Sequence, residues 1–356
     1  MVKLRRRKWF WIILILILGG LVFQKTWQWT YTVSPAFHLE GVNAFSGVAI
    51  VDGRVATYDG DILTFYTAKG REVGRVDRTG EGQEAFFGEK HAILFDRDLS
   101  KISVFDSWGK EVADYPIQGE LFSALERDGE LIFEVRQGDS EILYSTRPGG
   151  NLQIIFETRD YLLDYAQSKG GSWLAATLSN EAGGYKTSIY EDNETGQRED
   201  FPMEVAMELA FIGRDGYMAT EKNLRKLGKE NLRREIPLFT DMEVTSEGIH
   251  LLHSGLLTHY NKNLEETKEV VLSGNVTQLK EMNGTLFAYG QRDLVGNPYG
   301  PRTFTVHLKG RYPQWAMEDG ILATVTENHL YVYTMKTSFS APEVQDVAFE
   351  EENNEG

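Results

Sequence analysis

Asp52-Gly53-Arg-Val-Ala-Thr-Tyr58 and Asp128-Gly129-Glu-Leu-Ile-Phe133 share one pattern, a two-residue turn followed by an apolar strand. Such a turn needs φ > 0 at both central residues, so Asp-Gly or Asn-Gly beside apolar runs signals a β-hairpin. The pattern recurs at Gly170-Gly171-Ser-Trp-Leu-Ala175, Asp215-Gly216-Tyr-Met-Ala219, Glu247-Gly248-Ile-His-Leu-Leu252, Asn283-Gly284-Thr-Leu-Phe-Ala288 and Asp319-Gly320-Ile-Leu-Ala-Thr324. An eighth copy, Glu89-Lys90-His-Ala-Ile-Leu-Phe95, keeps the strand without the glycine.

A second turn follows one strand later, at Lys69-Gly70, Trp108-Gly109, Pro148-Gly149 and Thr195-Gly196. Roughly 20 residues then separate it from the next first turn, room for two short strands and a loop. Each unit is thus four strands over about 35 to 45 residues, the length of a propeller blade. The expected fold class is all-β, a β-propeller of eight four-stranded blades. Their expected bounds are 42–78, 84–118, 121–157, 161–203, 207–238, 241–274, 276–310 and 312–337.

The last unit stops at Lys336 without a fourth strand, and Tyr31 to Glu40 has no partner of its own. Pairing of 31–40 with 329–337 would close the ring and remove two exposed edges. The short interval between Gly310 and Gly320 predicts a seventh blade without its outer strand, and it leaves a seven-bladed ring open. A β-sandwich would need about seven strands where some thirty are suggested. Helical periodicity is missing beyond the N-terminus. Lys222 to Arg234 could pass for a helix, but Gly228 falls where the fifth blade needs a hairpin turn.

Residues 1–8 carry a basic cluster, and residues 9–29 read as a transmembrane signal-anchor. Trp9 to Phe23 is an unbroken apolar run. As a helix it spans about 22 Å against a hydrocarbon core of about 30 Å. Trp9, Trp11, Trp27, Trp29 and Tyr31 supply aromatic rings for both interfaces. Basic residues on the N-terminal side place that end in the cytoplasm and residues 30–338, the propeller, outside. A cleaved signal peptide is the rival, although Gln24-Lys-Thr-Trp-Gln-Trp29 offers no small-residue cleavage site. Residues 339–356 end in Glu350-Glu-Glu-Asn-Asn-Glu-Gly356 and read as an acidic flexible tail.

The chain has 37 Lys and Arg, six of them in the first 30 residues, which leaves 31 against 53 Asp and Glu. That net of −22 repels nucleic acid phosphates and anionic headgroups, so no nucleic-acid partner is expected. Cysteine is absent, which excludes disulfides, thiolate metal sites and a lipid-modified N-terminal Cys.

Thr67-Ala-Lys-Gly-Arg-Glu-Val73 and Asn193-Glu-Thr-Gly-Gln-Arg198 resemble hairpins of bacterial quinoprotein-like eight-bladed propellers. That superfamily includes quinone-dependent dehydrogenases and the propeller lipoprotein of the outer-membrane assembly machine. The anchored layout is similar to membrane-tethered propellers of Gram-positive bacteria. The dehydrogenases imply a vicinal Cys pair and a repeated Trp-docking motif. Here there is no Cys, and Trp108, Trp173 and Trp315 are irregularly spaced. No quinone and no other cofactor is therefore expected.

No catalytic or metal motif stands out. His250 and His253 are three apart on a strand and point to opposite faces, which keeps them from sharing an ion. The acidic runs lack the alternation of a calcium loop. Residues 291–302 read as the longest loop in the repeat, with Arg292, Asp293, Tyr299 and Arg302 as a candidate partner-binding set. The expected function is a membrane-anchored, non-enzymatic, extracytoplasmic scaffold that binds an envelope protein or peptide. The alternative is a carbohydrate- or cell-wall-active enzyme using carboxylates near the channel. A small-molecule sensor is a third reading.

Overall fold

The computed structural model describes residues 14, 19, 29–42, 47–77, 83–191, 198–228, 232–273, 275–326, 328–339 and 342–349. Eight sheets follow one another along the chain, antiparallel except for one added strand in the seventh. Blades 1 to 7 occupy 48–77, 83–116, 120–158, 161–202, 206–235, 239–271 and 278–308, and blade 8 occupies 314–338 with 30–40. In blades 1 to 7 the strand order is the chain order, from the innermost strand at the channel to the outermost at the rim. The ring has eight blades, so the seven-bladed alternative is set aside.

Four of the eight hairpin signals, at Asp52, Asp128, Asn283 and Asp319, sit where their chemistry demands. Asp52 and Gly53 have φ of 49° and 70°, Asn283 and Gly284 have 52° and 75°, and Asp319 and Gly320 have 50° and 74°. Both central residues are left-handed, as the two-residue hairpin requires. Blade 6 departs from this, with Gly248 inside its second strand, and so does blade 5. Its turn is Gly213 and Arg214, and Gly216 lies inside the next strand. A Cβ on Gly216 would come within 2.9 Å of Leu174 Cδ1, so this glycine serves close approach of blade 4.

Apolar residues alternate between the two sheet faces, and each face packs on a neighbouring blade. Ile93, Phe95 and Val104 of blade 2 meet Leu131, Phe133 and Val135 of blade 3. Tyr31 and Tyr333 of blade 8 meet Phe287 and Phe304 of blade 7. The core is therefore a set of inter-blade layers, each buried aromatic or leucine contributing about 1.5–3 kcal/mol.

Thr30–Glu40 pairs antiparallel with His329–Ser338, from Thr30 opposite Ser338 to Glu40 opposite His329, and becomes the outermost strand of blade 8. Among the described residues no helix is long and apolar enough to cross a membrane. Apart from Leu14, Gly19 and Trp29, the expected span 9–29 lies outside the described residues.

Three expectations are corrected. Blade 7 has its fourth strand, Phe304–Leu308. Residues 291–302 are not one loop but a turn, the strand Asp293–Gly296 and a second turn. Gly296 breaks the apolar pattern because the ring of Phe304 lies on it, 2.1 Å from where a Cβ would stand. Within the expected flexible tail, Val344–Val347 forms a strand parallel to Phe304–Leu308, the fifth of blade 7. Its Gln345 and Val347 are buried, and that burial favours order despite the acidic sequence.

Candidate functional site: the bulged half of the channel

The innermost strand of a blade is paired on one edge only, so main-chain N–H groups on its channel side need other partners. In four consecutive blades this strand breaks register near its start. The breaks fall between Leu121 and Ser123, Leu162 and Asp164, Ala206 and Glu208, and Phe239 and Asp241. Each is a β-bulge, in which one extra residue re-aims the side chains around it. The extra residues are Phe122, Leu163, Met207 and Thr240, and three of them are exposed.

The residue after each bulge reaches the next blade. Asp164 Oδ2 accepts from the Leu209 N–H at 2.5 Å, linking blade 4 to blade 5. Glu208 accepts from the Met242 N–H of blade 6. Asp241 Oδ2 accepts from the Leu279 N–H at 2.5 Å, and Glu243 Oε1 from the Glu281 N–H at 3.0 Å, both in blade 7. In blade 3 the position holds a hydroxyl: Ser123 Oγ donates to Glu134 Oε2 at 2.7 Å and lies 2.9 Å from Tyr165 Oη of blade 4.

Burial dominates the electrostatics here. It pushes Asp164 and Asp241 up to about 6 and Glu243 up to about 7. Glu208 is pushed up to about 9, first by burial and then by repulsion from Asp241, Asp164 and Glu243. Burial also raises Glu134 and Tyr165. Glu208 therefore carries a proton at neutral pH while Asp164 and Asp241 are largely ionised. Among the described residues no group of three or more His, Asp or Glu side chains is arranged to hold a metal ion. A pocket of about 400 Å³ lies between Glu126 of the blade 3 strand and Ile50, Lys280, Tyr289, Met317 and Glu318 of blades 1, 7 and 8.

Around the channel mouth, one face of the ring is built by the turns between second and third strands and by the inter-blade connections. This face exposes Leu99, Tyr161, Met203, Met207, Leu238 and Val271, with Leu238 at 75% and Val271 at 76%. Tyr161, Met203, Met207 and Leu238 come from the adjoining blades 4 to 6, and exposed apolar side chains gathered in this way mark interaction sites.

The four residues singled out in 291–302 do not form one surface. Arg292 is exposed in a turn on this apolar face. Asp293 is buried behind it, accepting from His307 Nδ1 at 2.8 Å and Asn275 Nδ2 at 3.3 Å. Tyr299 and Arg302 lie at the other end of the strand, on the opposite face. Tyr299 stacks on His250 of blade 6 with ring centroids 5.7 Å apart. His250 also faces His259 directly across its hairpin, centroids 4.6 Å apart, while His253 bonds Thr258 Oγ1 at 3.0 Å. Burial and the neighbouring His259 and Lys268 bring His250 down to about 3.

The channel acids were not singled out from the sequence. Their signal is an acid or serine directly after two residues of an innermost strand, as in Leu162-Leu163-Asp164, Ala206-Met207-Glu208 and Phe239-Thr240-Asp241. It emerges only once the blades are laid over one another.

No protein-family model matches the sequence, and no curated protein matches it. Solved structures do match in fold. BamB from Moraxella catarrhalis superposes with a TM-score of 0.59 at 9% identity, over 85% of this chain and 100% of that one. Saccharomyces cerevisiae Sqt1 gives 0.58 at 13% identity, over 86% and 100%. A streptogramin B lyase gives 0.50 at 11% identity, over 87% and 99%. At such identities the likeness is one of fold, and a fold hosts binding proteins and enzymes alike.

Proposed function

We propose that this chain is a membrane-anchored, extracytoplasmic propeller that binds an envelope protein or peptide and does no chemistry of its own. The observation that carries this is the run of exposed apolar side chains that blades 4 to 6 present on one face, Tyr161, Met203, Met207, Leu238 and Val271. That face lies opposite the end of the ring where the chain enters at Trp29, since Thr30 begins its strand among the turns of the other face. An anchored ring would thus hold its apolar face outward, free to meet a partner. Arg292 belongs to this surface, and aromatic, Met and Arg side chains are enriched in protein interfaces.

Crosslinking and affinity purification of the full-length chain from its native membrane tests the proposal. Met203→Asp with Leu238→Asp should abolish recovery of a specific protein, and Ile154→Asp on the outer rim of blade 3 should not. Equal recovery from both would count against this face.

One observation favours a second reading, a carbohydrate-active enzyme. Glu208 is protonated beside ionised Asp164 and Asp241, and such a split is what acid catalysis needs. Against it, each of these carboxylates is engaged by a main-chain N–H of the next blade, which accounts for its position without a substrate. Glycan hydrolysis by the wild type that is lost in Glu208→Gln would reverse the order of the two readings.

A further inference from the structure

We infer that the half of the channel without bulges binds a small zwitterion of the amino-acid class, its carboxylate on Lys280 and Tyr289 and its ammonium on Glu318. This site is separate from the apolar face and does not depend on the anchored reading.

The first argument is the pocket. The inner strands of blades 1, 2, 7 and 8 run without a register break, unlike those of blades 3 to 6. Small residues, Ala49, Gly88, Ala124 and Ala316, line the space of about 400 Å³ that these strands leave open. Ile50, Leu125 and Met317 give it an apolar wall. Small-molecule sites have this range of volume and this make-up, mostly apolar with a few placed polar groups.

The second argument is that three polar groups on the wall are uncommitted. Among the described residues Lys280, Glu318 and the Tyr289 hydroxyl make no hydrogen bond and no ion pair. Lys280 and Glu318 feel one another's charge without touching. Tyr289 is only 8% exposed, so its hydroxyl has given up most of its water and gained no partner. Burial raises both the Tyr289 hydroxyl and the Glu318 carboxyl. The other channel acids differ. Glu126 accepts from the Lys90 and His91 N–H groups at 2.9 and 3.0 Å and meets His91 Nδ1 at 2.8 Å. Asp164, Asp241 and Glu243 hold main-chain N–H groups of the next blade. Structural need accounts for those carboxylates and leaves Lys280, Glu318 and Tyr289 without one.

The charges choose the ligand. A simple anion at Lys280 would be repelled by Glu318 and Glu243, both of which interact with that lysine. A simple cation at Glu318 would be repelled by Lys280. A molecule carrying both charges satisfies each group and leaves the net charge of the channel unchanged. Tyr289 pairs opposite Gln278, the first residue of its blade's inner strand, whereas Glu318 ends its own strand beside the turn. Tyr289 is thus the deeper of the two, and the carboxylate is the buried end of the ligand.

Thermal denaturation of the full-length chain with each proteinogenic L-amino acid at about 10 mM tests the site. At least one should raise Tm by several degrees, and titration calorimetry should show one site. The same side chain carried by an amine alone, or by a carboxylic acid alone, should bind at least ~tenfold more weakly. Lys280→Met and Glu318→Gln should each weaken binding by ~tenfold or more, and Tyr289→Phe severalfold. Glu157→Gln, exposed on the outer rim of blade 3, should leave it unchanged. The Tm of each variant without ligand reports whether the ring is intact, and Tyr289→Phe keeps the shape of the wall. No rise with any amino acid would overturn the site. A rise that survives both Lys280→Met and Glu318→Gln would overturn its place in this pocket. Equal binding of the amine or the acid would overturn recognition of both charges. None of these outcomes bears on the anchor or the apolar face, which the crosslinking experiment tests.

Discussion

Gln345 donates from its Nε2 to the carbonyl of Tyr31, 2.8 Å away and 314 positions earlier in the chain. Its Oε1 accepts from the Val33 N–H at 3.1 Å, so one side chain satisfies both main-chain groups as a neighbouring strand would. The strand that carries it, Val344–Val347, pairs with blade 7, while Phe349 packs on Tyr331 and Tyr333 of blade 8. The C-terminal segment thus straps together the two blades between which the ring closes.

Gln345→Ala should therefore destabilise the ring. It leaves the Val33 N–H and the Tyr31 carbonyl buried and unpaired, each worth about 1–3 kcal/mol. A loss of about 2–3 kcal/mol is expected in chemical denaturation, with a fall of several degrees in Tm. Asp346→Ala, one residue on and exposed, should change stability by less than about 0.5 kcal/mol. Equal effects from the two would show that the strap is not held through Gln345.

The channel acids predict an unusual pH response. Glu208, Glu243, Asp164 and Asp241 all have folded pKa values above their unfolded ones. Between the two values the native state binds more protons, so stability falls as pH rises. Their contribution is complete below about pH 4 and is lost through about 6 for the aspartates, 7 for Glu243 and 9 for Glu208. Glu126 and Glu204 run the other way: burial raises them, but hydrogen bonds from His91 and the Lys90 N–H, and from Arg225, outweigh it and lower them, so their stabilisation is lost as pH drops below the ordinary carboxylate range. The ring should be most stable near pH 5. Glu208→Gln keeps an acceptor for the Met242 N–H and removes the titration, so it should raise stability at pH 8 by about 1–3 kcal/mol. Denaturation midpoints of wild type and variant should converge at pH 5. A constant difference across that range would exclude Glu208 as the titrating group.

Gly296→Ala should damage blade 7 out of proportion to its single methyl. The new Cβ would sit 2.1 Å from Phe304 Cζ, and Phe304 is buried between Tyr31 and Phe287. Overpacking of this kind costs about 1–3 kcal/mol or more. Gly255→Ala, with nothing within 4 Å, meets only the penalty of its φ of 76° and should cost about 1–2 kcal/mol. Measured by urea denaturation, a Gly296→Ala cost no larger than that of Gly255→Ala would show that the Phe304 ring yields freely.

Gly296 also shows where the sequence stops being legible. Blade number and order follow from turn signals because Asp-Gly and Asn-Gly have a local reason to be where they are. Gly296 has a distant reason, a ring eight residues on, and it made a strand look like a loop. Val344–Val347 was hidden for a similar cause. Its partners are Phe304–Leu308 and, through Gln345, Tyr31 and Val33, so no local pattern marks it. The channel acids lie between these cases. Each looks like one more polar residue in a strand, and only the shared bulge at the same depth of four blades makes them a set.

Tyr299 gives the sharpest test of the residues first singled out for partner binding. Its ring stacks on His250 and meets His259 edge-on at 6.4 Å, yet its hydroxyl is buried with no hydrogen-bond partner. Removing that hydroxyl deletes no bond and relieves a desolvation cost, so Tyr299→Phe should stabilise the ring by up to about 1 kcal/mol. Tyr299→Ala opens the seam between blades 6 and 7 and should cost about 3 kcal/mol. The two variants separate structure from recognition. If Tyr299 is only a wedge, the Phe variant captures the same envelope protein as the wild type. If the hydroxyl is held for a partner, the Phe variant folds at least as well and captures nothing. A Tyr299→Phe variant that loses more than about 1 kcal/mol would mean that the hydroxyl is bonded within the free protein, and the wedge account would fail.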